Sequence, residues 1–190
     1  MANKEDLRVK KTKKALYEAL MALLSEKTFD AITVNELCEV VGIRRATFYK
    51  HYNDKFAFLT SFTHALRNRF DTLIYKTDEK YFSADYYVAY AKRIVGYISE
   101  HSDAVANLIK STLFPMMLTI ILEQNYNDTL ERLNASIECG MKLSTSPEIT
   151  AATCAGGVAS AIYMWLMTGK VKSPDELAEE IGVIIGNILK

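Results

Sequence analysis

Just past Gly42 the chain gathers side chains that can hydrogen-bond to anions and to the edges of heterocycles: Arg44, Arg45, Thr47, Tyr49, Lys50, His51 and Lys55. Arginine can pair bidentately with guanine, and a threonine methyl can meet the methyl of thymine. A phenol, an ammonium or a helix N-terminus can hold a phosphate oxygen without reading sequence. By residue type, Arg44, Arg45, Thr47 and His51 are candidates for base edges, Tyr49 for a phosphate, and Lys50 for either. Thr33 and Lys55 fall at expected helix starts, where amides, helix dipole and side chain all favour an anion. The run Arg8, Lys10, Lys11, Lys13 and Lys14 adds sequence-blind attraction to a polyanion. Taken singly, each residue also suits a solvated surface. Their spacing is what points to nucleic acid.

These side chains need a short helix held at a fixed angle, and the pattern around them supplies one. Apolar spacing predicts a helix over 9–27 with Leu16, Leu20, Leu23 and Leu24 inward. Thr33 caps a second helix, and Glu36 three residues later completes a capping box. Val34, Leu37, Cys38 and Val41 form its buried face. Gly42 permits a left-handed turn, and a third helix covers 44–51. Phe48 and Tyr52, four apart, lock that helix to the first. The arrangement is a helix-turn-helix.

Asn53 or Asp54 starts a fourth helix, which runs to about Lys76 with the stripe Leu59, Phe62, Leu66, Phe70 and Leu73. Further helices are predicted over 84–100, 102–111, 115–142, 147–168 and 174–189. The last two begin with the cap, proline and acid of Ser146-Pro147-Glu148 and Ser173-Pro174-Asp175. Strand and hairpin signals are nearly missing, so the fold class is all-α.

Residues 9–59 resemble the N-terminal domain of the TetR family, the tetracycline-repressor-like regulators. The resemblance is carried by Ile32-Thr33-Val34, Leu37-Cys38-Glu39, Val41-Gly42-Ile43, Thr47-Phe48-Tyr49-Lys50-His51-Tyr52 and Asp54-Lys55. It implies an N-terminal three-helix DNA-binding domain over 1–54 and a larger helical ligand-binding and dimerisation domain over 55–190. It also places the phenol of Tyr49 on a phosphate, as the matching family tyrosine does. One departure stands out: family members often have a small polar cap where this chain has Arg44. That substitution either weakens the helix start or adds a contact.

A short recognition helix reaches few base pairs, so specificity calls for two heads on a palindromic site and a twofold dimer. Ala152, Gly156 and Ser160 recur every four residues as a smooth stripe, flanked by Met164. With Ile181 and Ile185 of the last helix they form the expected interface, and the resemblance implies a four-helix interface at the same place. Phe62, Tyr90, Tyr97, Met116 and Trp165 are candidates to line an effector pocket, which would suit an aromatic or amphipathic molecule. Such residues also serve as plain core. The fourth helix, residues 54–76, joins pocket and reader, so a shift of it is expected to change the separation of the two recognition helices.

Composition sets bounds. The 190 residues are 49% hydrophobic and 24% charged with zero formal net charge, which argues against disorder and against a general polyanion binder. The balance is uneven: residues 1–55 hold 11 Lys/Arg against 8 Asp/Glu, and residues 56–190 hold 12 against 15. A basic head on an acidic body fits a DNA reader. Cys38, Cys139 and Cys154 have no metal or disulfide spacing, and Met-Ala-Asn-Lys-Glu-Asp has no apolar run, so a cytoplasmic location is expected. Residues 149–169 lack charge and are long enough to span a bilayer, but Thr150, Thr153, Ser160 and Thr168 dilute them; a buried helix is expected and no membrane partner. No catalytic constellation, cofactor motif or metal cluster is present, and nothing gathers around His64 or His101.

The resulting expectation is a non-enzymatic, ligand-responsive homodimeric regulator, a repressor released from a palindromic operator in double-stranded DNA by a small effector. The alternative keeps the fold but acts through a protein partner as an adaptor or co-activator.

Overall fold

The structure, a computed structural model, describes residues 4–74 and 83–189, with side chains from 7 to 69 and from 83 to 189. Among these residues nine α-helices and one 3-10 turn occur, and no strand. In chain order they are α1 Lys4–Glu26, the 3-10 turn Phe29–Ala31, α2 Val34–Val41, α3 Arg45–Tyr49, α4 Lys55–Ile74, α5 Ala84–Glu100, α6 Ser102–Ile109, α7 Phe114–Glu138, α8 Pro147–Met167 and α9 Pro174–Ile188. Phe70 and Leu73 of the expected α4 stripe, and Lys76 at its expected end, lie outside the described side chains and residues.

The chain divides into two compact units. The first takes residues up to Thr63 together with His101–Met117, and the second takes His64–Glu100 and the chain from Leu118 onward. This division differs from the expected cut between residues 54 and 55, because α6 joins the N-terminal helices. The amide of Asn107 donates to the Leu24 carbonyl over 2.9 Å. The Asp30 carboxylate accepts the Thr112 amide at 3.1 Å and the hydroxyl of the same residue.

Leu16, Leu20, Leu24, Phe29, Ile32, Leu37, Phe48, Phe58 and Leu59 are sealed from solvent and form the core of the first unit. The leucines recur every four residues along α1, so one stripe meets the short helices. Leu23, expected inward as well, is only half-buried. Its position falls to the side of that stripe. Aromatic rings fill the space between α1, α3 and α4, with the Phe48 ring 5.6 Å from that of Phe58 and the Tyr52 ring 5.1 Å from it. Burial of such a ring stabilises by roughly 1.5–3 kcal/mol.

In the second unit α5 and α9 lie close together. Leu177, Ala178, Ile181 and Ile185 are buried along α9, and Gly182 lets its backbone approach Val88 of α5. α8 buries Ala151, Cys154, Ala155, Val158, Ile162 and Trp165, an i, i+3, i+4, i+7 pattern. The indole of Trp165 donates to the Lys172 carbonyl over 2.8 Å, fastening the turn into α9. α8 is also long and apolar enough to cross a membrane, with only part of its surface buried.

Helix ends explain most boundary differences. Both predicted serine caps form, Ser146 accepting from Ile149 and Ser173 from Glu176. α7 was expected to reach residue 142 but stops at Glu138, because Gly140 turns left-handed at φ 100° and the Met141 amide returns to the Ser136 carbonyl.

A β-carbon added at Gly182 would sit 2.2 Å from the Cγ2 atom of Val88, a β-branched side chain with little freedom on a helix. Overpacking of this kind costs about 1–3 kcal/mol, against the ~1 kcal/mol that alanine gains over glycine within a helix. Gly182→Ala is therefore expected to lower the midpoint of thermal unfolding. Gly96→Ala, with nothing within 4 Å, is expected to raise it. Calorimetry of the two variants checks this, and a Gly182→Ala protein melting above wild type would contradict the α5–α9 approach.

Candidate nucleic-acid interface

α2, the turn at Gly42 and α3 are built from short elements that depend on specific closures. The Thr33 hydroxyl accepts the Glu36 amide at 3.2 Å while the Glu36 carboxylate accepts the Thr33 amide at 2.8 Å, so the predicted capping box is present. Glu36 also pairs with Lys27, just past the end of α1. That hydrogen bond, followed by those from Thr33, holds the carboxyl at about 2. Gly42 adopts φ 72°, ψ 33°, and the Ile43 amide closes back on the Cys38 carbonyl at 2.9 Å. A side chain with a β-carbon would resist that left-handed turn.

α3 comprises only five residues, Arg45–Tyr49. Arg44 stands at its N-cap and makes no side-chain cap hydrogen bond, so the departure at this position leaves the helix start without the usual acceptor. Tertiary packing holds the helix instead. Phe48 and Tyr52 are buried, as their spacing predicted, and Lys13 of α1 lies 5.6 Å over the Tyr52 ring. The opposite side faces solvent, exposing Arg44, Arg45, Tyr49 and Lys50, with Thr47 and His51 half-buried beside them.

Two of these residues are already arranged with respect to each other. The Arg45 guanidinium lies 5.8 Å from the centre of the Tyr49 ring and donates to its hydroxyl at 3.4 Å. Tyr49, 46% exposed, thus stands upright beside a cation. Burial, then Lys13 and Lys50, push the His51 pKa below its ordinary value. The shift favours the neutral imidazole, which has one donor and one acceptor for a base edge.

Lys55 stands at the start of α4, as expected, and its ammonium has partners within the chain. Its ammonium donates to the carbonyls of Phe29 at 2.9 Å, Asp30 at 3.2 Å and Ile32 at 2.7 Å, and lies 4.5 Å over the Phe29 ring. Its three N–H groups thus have three oxygens within the chain. Burial lowers its pKa. Lys55 fastens the start of α4 to the 3-10 turn just before α2, a contact the sequence did not signal because that turn was not read.

The five expected pocket residues are divided between the two units. Phe62 is buried in the first unit with its ring 5.6 Å from that of Tyr17, and Met116 is half-buried in the same unit. Trp165 belongs to the α8–α9 turn, and Tyr97 lines an open groove with Arg69 and Arg93. Only Tyr90 lines the enclosed cavity of the second unit, beside Arg67, Tyr87, Asn125, Asp128 and Thr129. The missed polar residues had a signal: Asn125, Asp128, Thr129 and Arg132 follow i, i+3, i+4, i+7 spacing on α7, a polar stripe aligned for one face.

The expected dimer stripe divides. On α8, Ala152, Ser160 and Met164 are exposed and Gly156 is half-exposed. On α9, Ile181 and Ile185 face inward and are buried, because their i, i+4 face packs within the unit; Val183 and Ile184 are the exposed residues, at 64% and 59%. Among the described residues no cluster of metal-ligating side chains forms.

The Glu36 box has a pH signature. With its pKa depressed from 4.5 to about 2, the stabilisation it gives is complete above pH 4.5 and is lost as pH falls towards 2. Glu36→Gln should flatten the acid limb of stability between those values, read by circular dichroism melts across pH. Lys55→Met is expected to cost about 1–3 kcal/mol through loss of charge-assisted hydrogen bonds, read by urea unfolding; unchanged stability would show that the ammonium is not held by those carbonyls.

Residues 16–61 match the family model described as bacterial regulatory proteins, tetR family. An uncharacterized HTH-type transcriptional regulator, YxbF of Bacillus subtilis (strain 168), is 43% identical over 51 residues, which cover 26% of this chain and 13% of that protein's length. The fold is similar to that of a TetR transcriptional regulator from Streptococcus agalactiae, at TM-score 0.59 and 19% identity, covering 95% of this chain and 97% of the other. It is also similar to the regulator FadR from Bacillus subtilis solved with stearoyl-CoA, at TM-score 0.70 and 12% identity, covering 90% and 96%. With the capped α2, the Gly42 turn and the outward face of α3, these likenesses lead to one conclusion: residues 16–61 form a helix-turn-helix domain of the kind found in bacterial regulatory proteins of the tetR family.

Proposed function

We propose that this protein is a homodimeric, ligand-responsive repressor that binds a palindromic operator and leaves it when a small effector enters the second unit. The carrying observation is the outward face of α3, where Arg45 and Tyr49 stand together while Phe48 anchors the opposite side. Placed in a major groove, Arg44, Arg45, Thr47 and neutral His51 would meet base edges, and Tyr49 and Lys50 phosphates. Thr33 would bring the amides of the α2 N-terminus to the backbone. Lys55 would serve by orienting α4 against the 3-10 turn rather than by reaching out.

The exposed residues of α8 and α9 support a second copy as partner. Ile149, Met164, Met167, Val183 and Ile184 are large apolar side chains more than half exposed, beside Ala152, Gly156 and Ser160. An apolar face of this kind on a soluble protein marks an interaction surface. Two copies would set their recognition helices about one DNA turn, roughly 34–36 Å, apart. The apolar length of α8 is then covered by its partner helix, without lipid, and the protein works in the cytoplasm.

FadR of Bacillus subtilis was solved with stearoyl-CoA. Here the cavity lined by Arg67, Tyr90 and Asn125 is about 10 Å³, room for about one water, so an effector would enter it only with movement of the wall. α4 carries both Lys55 and Arg67, so an event at Arg67 acts on the helix that Lys55 fastens beside the reader. The adaptor reading also has an observation in its favour: α3 is short and starts at Arg44 without a side-chain cap.

Tyr49→Phe with Arg45→Ala is expected to lose about 2–4 kcal/mol of binding to a selected duplex, on the basis of one phosphate and one bidentate base contact. The dimer should persist by sedimentation. Ser160→Glu with Met164→Glu should instead give folded monomers with weak duplex binding. Full duplex affinity in the first variant would shift the reading to the protein-partner alternative.

A further inference from the structure

The polar cavity of the second unit is unequally buried. Arg67 is 5% exposed, and its guanidinium lies 4.8 Å from the centre of the Tyr90 ring. Its Nε donates to Asn125 Oδ1 at 2.8 Å, and an Nη donates to the Asp128 carboxylate at 2.5 Å. The Tyr90 hydroxyl donates to the same Asn125 oxygen at 2.9 Å. Asn125 is buried, whereas the Asp128 side chain is 38% exposed. One member of the ion pair is therefore locked inside, and the other stands at the edge and can turn to water.

That inequality selects a ligand. Removing one partner from a buried ion pair leaves an uncompensated charge, which is strongly unfavourable. A neutral molecule that displaced Asp128 would leave Arg67 in that state. A cation would meet the buried Arg67 guanidinium, a like charge. A carboxylate restores what Asp128 provides, and guanidinium pairs with carboxylate in a planar, bidentate manner. The Tyr87 and Thr129 hydroxyls, which bond to each other, add polar groups to the cavity wall. Ala155 and Val158 of α8 give the apolar side on which a ring or short chain would rest. With room for about one water, the space opens only if a wall group moves, and Asp128 is the exposed one.

We propose that the effector is a compact monocarboxylate, aromatic or short aliphatic, that binds by taking the place of Asp128 on Arg67. This rests on the reading of the second unit as an effector domain. It predicts that Asp128 acts as a built-in competitor, holding the site closed until an external acid replaces it.

Isothermal titration of the full chain with benzoate, phenylacetate and hexanoate, each against its own amide, tests the assignment. At least one acid should bind, and its amide should bind at least tenfold more weakly. Asp128→Asn should tighten acid binding about tenfold and show the larger rise in melting temperature on adding acid. Arg67→Gln should abolish binding; should that variant fail to fold, Asp128→Asn still decides. Equal binding of acid and amide, no binding by any of the three acids, or no gain in Asp128→Asn would overturn the proposal. Binding of a selected DNA duplex is measured on the same preparations. Duplex binding without acid binding contradicts this proposal alone, and acid binding without duplex binding contradicts the regulator reading alone.

Discussion

A five-residue helix has no stability of its own in water, and the reader depends on that fact. Nucleating one helical turn is unfavourable, and so short a segment forms only where tertiary contacts hold it. For α3 those contacts are Phe48, sealed from solvent, and Tyr52 beside it, packed against Phe58 of α4. With Arg44 making no side-chain cap, the aromatic anchor carries more of the burden than in a well-capped helix. The outward residues of α3 have a fixed direction because the inward ones are fixed. Lys55 extends the same constraint, tying the start of α4 to three carbonyls around the 3-10 turn.

The second unit follows another logic. Its core is aliphatic where α5 meets α9, and Gly182 allows the close approach there. Around Arg67 it is polar, with a buried guanidinium answered by an amide oxygen and a carboxylate. A buried ion pair contributes little net stability compared with an apolar filling. Here the pair is only partly buried, the Asp128 side chain being 38% exposed, and it is the place of the exchange proposed above. Its apolar counterpart lies on the outer faces of α8 and α9, where Ile149, Met164, Val183 and Ile184 are exposed on a single copy.

Most of the fold was legible because it rests on local signals. Thr33 with Glu36, Gly42, and the two Ser-Pro starts fixed helix ends that the structure reproduces. Phe48 and Tyr52 were legible as core because four-residue spacing puts both on one side. What escaped was set by contacts distant in sequence. Lys55 was legible as a cation at a helix start, but not its three carbonyl partners, which come from residues 29–32, whose 3-10 turn has no strong propensity signal. Ile181 and Ile185 looked like interface residues because an apolar stripe does not say whether its own chain or another covers it. Of the aromatic candidates, Phe62 and Trp165 fill core where they stand and Tyr90 lines the cavity of the second unit, a difference that spacing alone does not show.

The central claim is that the outward face of α3 reads DNA sequence in pairs. Selection of bound duplexes from a random pool by the purified full-length protein, at moderate salt, tests it most directly. The account predicts recovery of a palindrome with half-sites about one helical turn, roughly 10 base pairs, apart. Binding that depends on salt but shows no sequence preference, or no binding at all, would contradict it.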